Sequence, residues 1–71
     1  MGFDKAKAMR SAETYVAQGK IRQAIAEYRA VVDNDPRDIA TLNMLGDLYV
    51  KASEKRDAVN CYMQVADHYN K

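Results

Sequence analysis

Cys61 and His68 are the one thiol and the one imidazole in the sequence, so nucleophilic or metal chemistry would have to start from them. They stand seven residues apart. On a helix that spacing gives one face but a separation of about 10 Å along the axis, too far to share a proton. A nucleophilic pair also needs a third group to orient it, and His68 reads better as a surface or helix-end histidine. Asp57 and Cys61 have the four-residue spacing of metal ligands, but two donors are too few, and neither CxxC nor HxxxH occurs. Gly2, Gly19 and Gly46 are isolated and follow no strand, so no loop cradles a phosphate. Lys5, Lys7, Arg10, Lys20 and Arg22 give the first third a basic bias. Asp4 and Glu13 interrupt it, and it reads as solvated helix surface. No catalytic residue, cofactor or metal site is expected.

Composition narrows the classes further. Eleven Lys and Arg against ten Asp and Glu leave a formal charge of +1, which argues against a strongly basic nucleic-acid binder or an acidic tail. Seventy-one residues can hold one small core, and a single cysteine excludes an intramolecular disulfide to brace it. Although 48% of the residues are apolar, their uninterrupted runs fall far short of the ~20 needed to span a bilayer, so no membrane partner is expected. The opening residues turn charged without the apolar core of a secretory signal, and Ala6 stands where a myristoylation site would want Ser or Thr. A lone Cys61 fits a reducing compartment, so the expected location is cytoplasmic.

Any binding residues must be carried on helices, since apolar residues recur at helical intervals and one proline and three glycines punctuate them. A weak helix is expected over about Asp4 to Gln18. A second carries the stripe Ile21, Ala24, Ile25, Tyr28, Val31 and Val32. A third carries Ile39, Leu42, Leu45, Gly46, Tyr49 and Ala52, and a fourth Ala58, Val59, Tyr62, Val65, Ala66 and Tyr69. Gly19 can take the left-handed conformation that ends the first helix, Pro36 closes the second, and Asp35 or Asp38 can cap the third. Ser53 is the expected cap of the fourth.

Residues 5–37 align without gaps on residues 39–71, a period of 34. Ala6/Ala40, Tyr15/Tyr49, Val16/Val50, Arg22/Arg56, Ala24/Ala58, Tyr28/Tyr62, Val31/Val65 and Asp33/Asp67 are identical. Small Ala12 and Gly46 would let helices approach closely, with Tyr15 and Tyr49 filling space one turn later.

This period and pattern resemble the tetratricopeptide repeat (TPR) family. Leu42, Leu45-Gly46, Tyr49, Ala58 and Tyr62 stand at the family's signature spacings in the second copy, and Ala12, Tyr15, Ala24, Tyr28 and Pro36 do so in the first. The resemblance implies an all-α fold of two stacked antiparallel helix-turn-helix hairpins, four helices in a short right-handed solenoid segment. Repeat one would span about 5–38 and repeat two about 39–71, within a single domain of residues 1–71. Ala8 and Ser11 replace larger apolar residues, as in an atypical terminal repeat, so the chain reads as the opening of a longer array. Asn70 stands where the closing proline would be and Ser53 where the turn glycine would be, so the last hairpin is expected to be less sharply fixed.

The resemblance also implies a groove lined by the first helix of each hairpin. Transferred to this sequence, it selects Met9, Arg10, Glu13 and Val16 from the first helix and Asn43, Met44, Asp47, Val50 and Lys51 from the third. Met9, Glu13 and Val16 are four and three residues apart, as are Asn43, Asp47 and Val50, so each trio forms a ridge. Two thioethers among mixed charges suit a mixed peptide, although exposed methionines and i,i+4 charges are also ordinary helix surface. The chaperone-type carboxylate clamp of some TPR proteins is not expected: Met9 and Glu13 stand where it would need Lys and Asn, and Met44 replaces its next Asn.

The leading expectation is therefore a non-catalytic protein-interaction module that takes a protein or peptide partner. A second is self-association through the uncovered face of the last hairpin, with Tyr62, Val65 and Tyr69 as candidates, giving a homo-oligomer unless the chain is cut from a longer array. RNA binding, by analogy with pentatricopeptide repeats, is disfavoured by Glu13 and Asp47. Two repeats alone should be only marginally stable.

Overall fold

Two aspartates at equivalent positions of the two repeats start the fold. In the computed structural model, which describes residues 2–70, Asp4 accepts the backbone N–H of Lys7 at 3.0 Å and opens α1 (Lys5–Ala17). Asp38 does the same for Thr41 at 3.0 Å and opens α3 (Ile39–Lys51). Each satisfies one of the four N–H groups that a helix start leaves without an intrahelical partner. The second helix of each pair, α2 (Ile21–Asn34) and α4 (Lys55–Tyr69), begins without a side-chain cap, at Lys20 and Glu54. Met1 and Lys71, the ends of the expected 1–71 domain, lie outside the described residues.

Those uncapped starts follow two turns of the same construction. Gly19 has φ +74°, with Lys20 N donating to Tyr15 O at 2.8 Å and Gly19 N to Val16 O at 3.0 Å. Ser53 has φ +61°, with Glu54 N donating to Tyr49 O at 2.8 Å and Ser53 N to Val50 O at 3.0 Å. Both are Schellman closures with a left-handed residue just past the helix end. Two expectations change here. Ser53 does not cap α4; it ends α3, and Glu54 takes the N-cap position without a side-chain bond. The last hairpin also turns as sharply as the first, with serine bearing a conformation that glycine adopts more easily.

The chain is all-helical as expected, and its four helices form two hairpins. Among the described residues, helix backbones meet only in chain order, α1 on α2, α2 on α3 and α3 on α4. The core is Ala12, Ala24, Ile25, Tyr28, Leu42, Leu45, Leu48, Tyr49, Ala58 and Cys61. At Gly46 a Cβ would stand 2.8 Å from Tyr62 Cε1 and 3.2 Å from Cys61 Cβ, so its hydrogen is what lets α3 and α4 approach. Thr41, Leu48 and Cys61 are buried although they lie off the stripes read from the sequence. Because α3 has neighbours on two sides, one stripe does not describe it. The opposite holds for α4, where Val59 and Tyr69 belong to the apolar stripe yet remain exposed.

Ion pairs bind the hairpins together. Lys5 Nζ lies 2.7 Å from Asp38 Oδ2 and 3.3 Å from Asp35 Oδ2, tying the start of α1 to the loop between hairpins. Arg22 reaches Glu54 at 3.2 Å, linking the starts of α2 and α4. Thr41, fully buried, donates its hydroxyl to Asp38 Oδ2 at 2.7 Å and so keeps that carboxylate fixed.

Candidate partner-binding groove

Val16 of α1 and Met44 and Asp47 of α3 meet around a depression of about 180 Å³, completed by Tyr28 and Leu48. Four of these five residues offer carbon or sulfur and one offers a carboxylate. Such a seat can hold one apolar side chain with a cation beside it. Val16 and Met44 are half-buried and pack on the core, which holds them in place. Asp47 is exposed.

The other residues expected of the groove are distributed around this seat. Met9 is half-buried, its sulfur 3.8 Å from Thr41 Oγ1, so it packs α1 on α3. Glu13 is exposed and near enough to Tyr28 for its charge to act on the phenol. Asn43, Val50 and Lys51 are exposed on α3 and do not line the depression. Arg10 lines a separate shallow surface on α1 with Lys7, Ser11, Thr14, Tyr15 and Gln18. Tyr28 and Leu48 are lining residues that the sequence reading assigned to the core or passed over. Leu48 is one turn from Met44, and that i,i+4 spacing was the available signal.

A tyrosine stands beside an acid in both hairpins. Tyr62 donates its phenolic hydrogen to Asp47 Oδ1. That bond, followed by desolvation and the carboxylate's charge, raises the Tyr62 pKa above its ordinary 10.0. Tyr28, the matching residue of the first repeat, is raised first by burial and then by the charge of Glu13. Both phenols therefore stay neutral.

The other candidates for chemistry are placed apart. Cys61 is buried against α3, and desolvation, then the charge of Asp57, raises its thiol pKa, opposite to the activation a nucleophilic thiolate requires. His68 is exposed and stands edge-on to Tyr69 with ring centroids 5.4 Å apart. Of the self-association candidates, Tyr62 and Val65 are half-buried against the core and Tyr69 is exposed. Among the described residues, no helix is long and apolar enough to cross a membrane.

Comparison with known proteins agrees with this architecture. The family model described as tetratricopeptide repeat matches residues 8–38, which cover most of α1, the whole of α2 and the loop that follows. Neither a curated protein nor a solved structure matches the chain. One hairpin thus matches the tetratricopeptide repeat, and a second of the same construction follows it in register.

Proposed function

We propose that the chain is a non-catalytic protein-interaction module whose α1–α3 surface holds a peptide or helix of a partner protein. The observation that carries this reading is the seat formed by Val16, Tyr28, Met44, Asp47 and Leu48, where one carboxylate borders an otherwise apolar depression. Methionine adapts its shape to an incoming side chain at little cost, and Asp47 selects the charge beside it. Glu13 adds a second carboxylate on α1 near the same tyrosine. The favoured segment therefore carries an apolar residue flanked by Lys or Arg.

Fluorescein-labelled peptides with a central leucine, flanked either by lysines or by glutamates, test this by anisotropy. The lysine peptide should bind and the glutamate peptide should not. Met44→Ala and Asp47→Asn should each weaken binding by about tenfold, the size of a well-seated contact, with helical circular dichroism unchanged. Equal affinity for the two peptides, or binding indifferent to both substitutions, would remove the assignment.

A further inference from the structure

The two ends of this short stack are chemically unlike. The contrast emerges on comparing each helix with its counterpart in the other repeat. Within its hairpin α4 packs on α3 as α2 packs on α1, but α2 has a second helix backbone beside it in α3, and among the described residues α4 has none. The effect is visible residue by residue. Ile25 is 8% exposed while its counterpart Val59 is 53% exposed. Ile21 and Val32 are half-buried, while their counterparts Lys55 and Ala66 are exposed. Val59, Met63 and Ala66 follow one another at four and three residues and so form a ridge. Val59, Met63 and Tyr69 account for three of the five large apolar side chains left exposed among the described residues, Phe3 and Val50 being the others.

At the opposite end the corresponding face is polar. On α3, Thr41, Leu45 and Leu48 are buried. The counterparts on α1 are Lys7, Ser11 and Thr14, of which Lys7 and Thr14 are exposed. The α1 end is finished for water and the α4 end is not.

We propose that the α4 ridge of Lys55, Val59, Met63 and Ala66 docks against the same ridge of a second copy of this chain, tail to tail about a two-fold axis. This goes beyond the groove reading and uses a different face. Head-to-tail stacking would press Val59 and Met63 onto Lys7, Ser11 and Thr14, stripping water from the Lys7 ammonium group and the Ser11 hydroxyl without repayment. Like ends joined by a two-fold axis avoid that contact and close after two copies. Charge sets the direction. Lys55 and Arg56 open α4, so parallel pairing would put four cations together. Antiparallel pairing instead brings each pair to the carbonyl end of the partner's helix, the negative end of its dipole. One 15-residue helix on another buries area at or below the low end of specific interfaces, about 1,200 Å², so the dimer should be reversible.

Sedimentation velocity over about 1 μM to about 1 mM reads this out. The mass should rise from 8.0 kDa toward twice that value and stop there. Met63→Lys and Val59→Lys, both at exposed positions, should each hold the chain at the monomer mass with helical circular dichroism intact. Ser11→Arg on the α1 face should leave the dimer unchanged, as should Met44→Ala and Asp47→Asn in the groove. A mass of 8.0 kDa at every concentration overturns the proposal. So does a dimer insensitive to both lysine substitutions, or growth beyond two copies that Ser11→Arg stops.

Discussion

At the scale of single residues, Asp47 has two partners in prospect: the Tyr62 hydroxyl it already accepts, and any cation that enters the seat beside Met44. Tyr62→Phe removes the first and leaves the ring in place. The loss of one hydrogen bond to a charged group should lower the urea unfolding midpoint slightly, without changing the slope of the transition. The lysine-flanked peptide should bind the variant at least as tightly, because its cation no longer competes with a hydroxyl. Weaker binding would mean that Tyr62 positions the carboxylate as well as sharing it. Val16, Met44 and Asp47 were expected from the family resemblance, and helical spacing agreed for Val16 and Asp47, which lie on ridges off the core stripe. Tyr28 was not, because period alone assigns its ring to the core and cannot show where its edge emerges. Met9 was read as groove surface, but its half-buried thioether lies against Thr41.

At the scale of helices and turns, most boundaries were readable because helix ends are decided locally, by an aspartate before α1 and α3, a glycine after α1 and a proline after α2. Ser53 escaped that reading for a physical reason. Serine is a good helix N-cap, and the sequence does not show a positive φ. Gly19 and Ser53 occupy the same turn position with φ of +74° and +61°, so replacing the serine tests what the difference costs. Ser53→Gly should stabilise the chain by about 0.5–1 kcal/mol, relief of left-handed strain exceeding the added freedom of the unfolded chain. Thermal unfolding followed by circular dichroism checks it, and an unchanged or lower midpoint would show that the strain is relieved elsewhere. The burial of Thr41 and Leu48 was also out of reach of a single-stripe reading, because it depends on α3 standing between two helices.

At the scale of the whole molecule, four helices in series expose 5010 Å², about a tenth more than the ~4,500 Å² of a compact protein of this mass. Contacts between hairpins therefore matter in proportion. The Lys5–Asp38 pair is one of them, and its pH dependence follows from its charges. Burial alone would raise the Asp38 pKa, but the Lys5 ammonium and the two donors of Thr41 outweigh it and hold the pKa below the ordinary 3.8. Its contribution is complete above that ordinary value and is lost as pH falls through the depressed folded value. Lys5, raised above 10.5 chiefly by Asp38 and then Asp35, loses its contribution only as pH rises through its folded value. Asp38→Asn keeps a capping oxygen and removes the charge, so its stability should fall less steeply than the wild type's below about pH 4. Parallel acid curves would place the acid sensitivity in other carboxylates.

The most direct test of the interaction surface is to titrate the isotope-labelled chain with the lysine-flanked leucine peptide and follow amide and methyl resonances. Binding in the groove should shift Val16, Met44, Asp47 and Leu48 together, saturably, while Lys7 and Ser11 on the far side of α1 and Val59 and Met63 on α4 stay in place. Shifts confined to α4, or spread over all four helices without saturation, would contradict a peptide seat between α1 and α3.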